Sequence, residues 1–233
     1  MLNIKRIFST ALLLSFFFTI SIQAQKINQL DVNGKRTGVW KKFYDNGKIR
    51  YSGQFINGKE VGVFKFYTIN SSSQPSIVKK YRKNSDTALV TFYTGKGTVK
   101  TEGKMLGKKR IGKWIYYFFD GEISSEEEYS NGSLNGVLKN YYRNGKLTEE
   151  TAYQFGKKHG VSKIYTNAGI LIENVSYVAG KLEGEGKYYD LKGDLKEKGI
   201  YKNGKRVGKW EFYMDGEIVS DKRKRNTHSI PKR

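Results

Sequence analysis

The chain has 233 residues, with 43 Lys and Arg against 22 Asp and Glu, a formal net charge of +21, 26 glycines, two prolines and no cysteine. The absence of cysteine excludes a disulfide framework, a Cys/His metal cluster and a lipid-modified N-terminal cysteine. The charge balance points to anionic partners and says nothing about the fold.

At the N-terminus, Lys5 and Arg6 precede an apolar run over residues 7–22 that is interrupted only by small hydroxyl residues, and Gln23-Ala24 follows. This is the pattern of a cleavable secretory signal peptide over residues 1–24, with cleavage expected near Ala24 or Gln25. The run of 16 residues falls short of the roughly 20 that a spanning helix needs. An uncleaved N-terminal anchor is the competing reading. Either way the expected destination is outside the bacterial cytoplasm: periplasm, cell envelope or medium. Loss of Lys5 and Arg6 leaves 41 basic residues against 22 acidic ones.

Residues 25–32 form a short lead-in. From residue 33 the phrase NGKRTGVWKKFYDNGKIRYSGQFI is repeated with variation up to residue 221. The turn glycine Gly34 returns at 58, 107, 132, 156, 180 and 204, with steps of 24 residues at the start and through the last four. Repeats begin near 33, 57, 84, 106, 131, 155, 179 and 203, the third being degenerate, with Asn84-Ser85 for Asn-Gly. A fixed period of this length is the mark of a repeat architecture.

Each unit holds two turn signals separated by aromatic, alternating runs, which predicts a β-hairpin. Asn33-Gly34, Asn57-Gly58, Asn131-Gly132 and Asn203-Gly204 suit tight turns with positive φ. The second turn is Asp45-Asn46-Gly47 in the first copy. In the strand that follows, Ile49, Tyr51, Gly53 and Phe55 fall on one face, and Lys48, Arg50, Ser52 and Gln54 on the other. An isolated hairpin is marginal in water, so neighbours must bury each aromatic face. The expected fold is all-β: an elongated antiparallel sheet of about eight hairpins, running on the order of 75 Å at roughly 4.8 Å per strand. The segment NSSSQPS at 70–76 predicts a longer loop in the second hairpin. The ending KRKRNTHSIPKR at 222–233 predicts a basic, disordered tail.

The stretch from Tyr51 to Gly58 (YSGQFING) followed by Gly62, and Gly199 to Gly204 (GIYKNG) followed by Gly208, resemble the MORN (membrane occupation and recognition nexus) repeat. The phrasing Asn-Gly-Lys, Gly-x-Trp, Tyr-x-x-Gly is most similar to the bacterial MORN-repeat variant, whose members are often labelled antitoxin components of toxin–antitoxin pairs. The resemblance implies antiparallel hairpins serving as a non-catalytic binding surface, with lipid or protein partners.

Catalytic chemistry calls for unique convergent groups, whereas a repeat multiplies everything. His159 stands at the turn position of Arg36 and Arg206, and His228 is in the tail, so neither suggests a triad or a metal site. No cofactor is expected. Glu149, Glu173 and Glu197 recur every 24 residues on the Leu/Tyr face, about 10 Å apart across two strand spacings. They read as a structural ladder compensated by Lys or Tyr neighbours, the alternative being a glycosidase-like carboxylate pair. Glu126, Glu127 and Glu128 read as a solvated strand face.

The more distinctive constellation is basic. Lys35, Arg36, Lys59, Lys108, Lys109, Arg110, Lys157, Lys158, Lys181, Lys205 and Arg206 all fall in the same hairpin connection and form a candidate anion- or partner-binding edge. The competing reading is that lysines keep the edge soluble. Tyr44 and Tyr142 beside it are candidates to stack on sugars or sit among headgroups. Nucleic acid fits by charge, but a signal peptide favours phospholipid, anionic glycan or an acidic protein. Three functions follow: an exported non-enzymatic scaffold binding a protein or an anionic envelope surface, an antitoxin-like protein neutralising a partner, or a carbohydrate-active enzyme on a repeat sheet.

Overall fold

The computed structural model describes residues 26–71, 73–83 and 85–219, in which nineteen strands form one antiparallel sheet. Eight hairpins follow one another along the chain. They are Arg36–Phe43 with Ile49–Ile56, Lys59–Phe66 with Ile77–Tyr81, Thr87–Tyr93 with Val99–Leu106, and Lys109–Tyr117 with Ile123–Ser130. The second four are Gly136–Tyr141 with Leu147–Gln154, Lys157–Tyr165 with Leu171–Val178, Gly184–Tyr189 with Leu195–Lys202, and Lys205–Met214 with Glu217–Val219. Two-residue strands Ser133–Leu134 and Lys181–Leu182 precede the fifth and seventh hairpins. In the lead-in, Gln29–Leu30 adds a further strand by pairing with Thr37 and Arg36. The expected signal peptide at 1–24, its expected cleavage near Ala24 or Gln25, and the expected tail at 222–233 lie outside the described residues.

The alternation read from Ile49–Ile56 is realised: Gly53 and Phe55 are buried while Arg50, Gln54 and Ile56 are exposed. Strand registers carry that face across the whole sheet. Tyr51, Phe66, Ile77, Phe92, Thr101, Tyr116, Ser125, Asn140, Glu149, Ile164, Glu173, Tyr188, Glu197 and Phe212 are successive cross-strand partners. This row is mainly aromatic and aliphatic as far as Tyr116, and from Glu149 onward three carboxylates alternate with Ile164, Tyr188 and Phe212. On the opposite face the row is polar, with ion pairs Lys113–Glu126 at 2.6 Å, Lys139–Glu150 at 3.4 Å and Lys198–Glu211 at 3.1 Å.

A sheet with one buried face must fill that face with its own side chains, and here it does so by matching large to small across the strands. Trp114 is fully buried among Val90, Ala88, Phe92 and Tyr129. Its ring lies over Gly103, its partner in the neighbouring strand. Phe64 covers Gly53 and Trp210 covers Gly199 in the same way; a Cβ at any of these glycines would meet ring atoms well inside 3.0 Å. Between these aromatic blocks two small residues meet instead, with the buried hydroxyls of Thr151 and Ser162 at 2.7 Å. Register shifts occur at this level, between Ser52 and Gln54, Gly103 and Lys104, Thr151 and Tyr153, and Lys198 and Ile200. Such bulges bend the strand and raise its twist, which lets rings on one face close over each other.

The two kinds of turn lie on opposite edges. One edge carries wide turns, closed by a backbone N–H to carbonyl bond across five residues, as from Tyr44 to Lys48, Thr94 to Thr98 and Tyr142 to Lys146. The long loop expected in the second hairpin spans 67–76, with Gln74 beside Gly97 of the next wide turn. The other edge carries two-residue turns with both residues at positive φ: Asn57-Gly58, Asn131-Gly132, Phe155-Gly156, Ala179-Gly180 and Asn203-Gly204. Asn33-Gly34 departs from the expectation. It lies in a wide turn closed from Asp31 to Lys35, whose Oδ1 acceptor is Asp31, and only Gly34 has positive φ there.

Candidate binding edge

The tight turns form a row because each is bonded to the hairpin before it. Gly58 N–H donates to the Arg36 carbonyl, Gly132 to Arg110, Gly156 to Leu134, Gly180 to Lys158 and Gly204 to Leu182, at 2.8 to 3.0 Å. A second tie recurs with the same period. The side chains of Asn135, His159 and Glu183 accept from the backbone N–H of Phe155, Ala179 and Asn203 at 3.3, 3.4 and 2.8 Å. His159 therefore aligns with Asn135 and Glu183, and the position of Arg36 and Arg206 belongs to Lys158. The expectation for His159 is off by one residue: Lys158, like Arg36 and Arg206, stands two residues after the turn glycine, and His159 stands three after it.

The eleven cations expected along this edge separate into two sets. Arg36, Arg110, Lys158 and Arg206 turn inward over the aromatic face. Arg36 stacks over Trp40 at 4.8 Å, Arg110 over Trp114 at 4.4 Å and Arg206 over Trp210 at 3.9 Å. All three tryptophans of the chain are thus capped by the arginine four residues earlier, in Arg-x-Gly-x-Trp. Arg206 also grips the Glu197 carboxylate through both terminal nitrogens, at 2.9 and 3.1 Å, and Lys158 reaches Glu149 at 3.3 Å. These four hold the fold together.

Lys35, Lys59, Lys108, Lys109, Lys157, Lys181 and Lys205 remain exposed on the turns themselves. Lys35 lies along Gly58 of the next turn, and Lys109 donates to Asn131 at 2.8 Å. Lys59 pairs with Asp86 at 3.1 Å, but both groups are well exposed, so the pair is weak.

The edge also carries apolar side chains that sequence reasoning missed. Phe155 is 81% exposed, Ile56 59%, and Leu106 and Val178 50% each. Phe155 sits at φ 49°, a left-handed conformation that costs an ordinary L-residue about 1–2 kcal/mol and that asparagine accepts readily. Its equivalents Asn57, Asn131 and Asn203 take the residue the turn prefers, and Ala179 adopts the same conformation with a small side chain. The clue in the sequence was the breaking of the Asn-Gly pattern by Phe155-Gly156, an aromatic standing where the turn asks for a polar residue.

Two aromatics proposed for stacking are otherwise engaged. Tyr44 and Tyr142 lie at the opposite edge, where their hydroxyls donate to the carbonyls of Tyr67 and Tyr165 at 2.8 and 3.0 Å. The acidic run also divides between faces: Glu126 meets Lys113 and Tyr141, Glu127 accepts from Tyr129 at 2.7 Å, and Glu128 is exposed.

In the carboxylate row, burial disfavours a charge on Glu149, but the Thr151 hydroxyl at 2.7 Å, Lys158 and the Asn140 amide at 3.2 Å outweigh it and hold its pKa below the usual range. A depressed folded-state pKa contributes stability above the unfolded value, near 4.3, and this is lost as the pH falls through the folded one. Glu149→Gln is expected to cost about 1 kcal/mol at neutral pH, the group being partly exposed. The difference from wild type should vanish in urea unfolding below the folded pKa. Loss of the difference with rising pH instead would show that the carboxylate is not held in its charged form.

Among the described residues no group of three or more His, Cys, Asp or Glu could hold a metal ion. The MORN repeat variant family matches the chain at residues 36–57, 110–131, 134–154 and 182–203. Each match covers one hairpin, from the inward-turned position or its leucine equivalent to the next tight turn. No curated protein matches the chain. Repeats of this kind act in general as binding scaffolds for proteins or membrane lipids. Their four occurrences, on an unbroken hairpin sheet, make this chain a MORN-repeat protein of the variant type.

Proposed function

We propose that the protein is an exported scaffold whose tight-turn edge docks onto an anionic membrane surface of the cell envelope. The observation that carries this reading is the exposed Phe155 ring, held out at an unfavourable φ in the turn that bears Lys157 and beside the next turn, which bears Lys181. Solubility alone accounts for the lysines and leaves a costly exposed phenylalanine unexplained. Cations that meet headgroups, alternating with apolar tips that enter the interface, account for both. The N-terminal pattern supports export, which would bring the protein to the cell envelope, where anionic membrane surfaces are available.

Phe155→Asn separates binding from stability because it should move them in opposite directions. Removing a partly inserted ring is expected to weaken binding to anionic vesicles about tenfold. Relieving the left-handed strain is expected to raise the unfolding free energy by about 1 kcal/mol. Unchanged vesicle binding, measured by co-sedimentation, would remove the basis of the proposal.

A further inference from the structure

The acidic half of the inner face repeats a two-residue device with one member missing. Glu149 is met by the cation nine residues later, Lys158, and Glu197 by the cation nine residues later, Arg206. Both pairs arise from the same hairpin geometry, in which the second strand sends a long basic side chain along the sheet to the carboxylate on the first. Glu173 lies between them in the same cross-strand row, with Ile164 on one side and Tyr188 on the other. The residue nine positions on is Leu182, which has no charge to offer.

Among the described residues Glu173 has no hydrogen-bond or ion-pair partner, although it is half buried. The nearby groups do not fill the gap. Lys158 is committed to Glu149 and lies over the Tyr177 ring at 5.2 Å. Arg206 is committed to Glu197, and the Tyr188 hydroxyl is shared with that of Tyr201 at 2.8 Å. Burial pushes the Glu173 carboxyl above the usual range; Lys158 opposes the shift and Glu149 adds to it. Next to the carboxylate is a cavity of about 430 Å³, lined by Ile164, Glu173, Tyr188, Leu191 and Glu197 and, at its rim, by Lys196, which is exposed and alternates with Glu197 along its strand. A carboxylate beside tyrosine rings, in a cavity of that size, suits a cation that can both pair and stack.

We propose that Glu173 is the receiving half of a salt bridge whose cation, an arginine or lysine side chain, comes from a partner protein and takes the place that Lys158 and Arg206 fill in the neighbouring repeats. This site lies on the inner face, has the opposite sign to the lysine edge and is independent of membrane docking. The flanking repeats show in cis what the partner would supply in trans.

The test fills the gap from within. In Leu182→Arg the repeat regains its cation, and the variant is expected to fold at least as stably as wild type, since it recreates the arrangement at Arg206 and Glu197. N-acetyl-argininamide, with the neutral isostere N-acetyl-citrullinamide as control, is titrated into the purified protein while the amide resonances of Val175 and Gly186 are followed. Wild type should show saturable shifts with the arginine probe only. Leu182→Arg and Glu173→Gln should each weaken the response roughly tenfold or more, the loss expected when a charged hydrogen-bonded pair is removed. No saturable shift in wild type, an equal response to the citrulline probe, or undiminished binding by Leu182→Arg would overturn the proposal.

Discussion

Gly103→Ala is expected to destabilise the protein by about 3 kcal/mol, more than most single-methyl additions. The added Cβ would be driven into the body of the Trp114 indole, and that ring cannot swing away. It is fully buried, capped by the Arg110 guanidinium, packed against Phe92 and Tyr129, and held by its Nε1–H donating to the Lys104 carbonyl at 3.1 Å. The matched control is Gly145→Ala in a wide turn, where nothing lies within 4 Å of the new Cβ and only the positive φ opposes it, at about 1 kcal/mol. Urea unfolding of both variants distinguishes close packing from turn strain. Equal, small losses would mean that large-to-small matching does not organise the inner face. Because repeat stability is a sum over neighbours, the Gly103 defect should weaken the hairpins on either side first.

Reversing Lys157, Lys181 and Lys205 to glutamate together is expected to lower affinity for anionic vesicles at least about 100-fold while leaving the unfolding midpoint nearly unchanged. Each cation near an anionic surface contributes about 1 kcal/mol, so removing three already accounts for about 3 kcal/mol, and the new negative charges add repulsion. The fold should tolerate the change because these side chains are exposed on turns whose backbone is fixed by the Gly156, Gly180 and Gly204 bonds. Lys158→Glu should behave differently. It removes the partner of Glu149, places a second acid beside it and lowers stability, so any loss of binding in that variant cannot be assigned to the edge. Vesicle co-sedimentation beside thermal unfolding checks both statements. A triple variant that binds as well as wild type would leave the exposed lysines as a solubility device.

Much of the fold was legible because hairpins write their period directly into the chain. The turn glycines, the alternation of Tyr51, Gly53 and Phe55, and the recurrence of tyrosine every 24 residues are local signals, and the structure places them as the pattern demands. What the sequence concealed depends on strand registers and side-chain reach. Arg36, Arg110, Lys158 and Arg206 sit beside the turn lysines in sequence, yet strand alternation sends them to the inner face, where tryptophan rings and carboxylates hold them. His159 was misplaced although the spacing from the turn glycine assigns Lys158 to the position of Arg36 and Arg206. Glu173 looked like its neighbours because the decisive difference is a leucine nine residues away, and it became visible only when the cations of the flanking repeats were seen to reach their acids. Phe155 was hidden because a phenylalanine before glycine reads as the end of an aromatic strand, when it occupies the first residue of the turn.

The most direct measurement of the central claim is co-sedimentation of the purified wild-type protein with phosphatidylcholine vesicles, with and without anionic phospholipid, over a range of salt. The edge as described should bind the anionic vesicles at low ionic strength, release progressively as the screening length shrinks from about 30 Å at 0.01 M to about 8 Å at 0.15 M salt, and bind neutral vesicles poorly throughout. Equal binding to both compositions, or none to either at the lowest salt, would contradict a membrane-facing role for the lysine and phenylalanine edge.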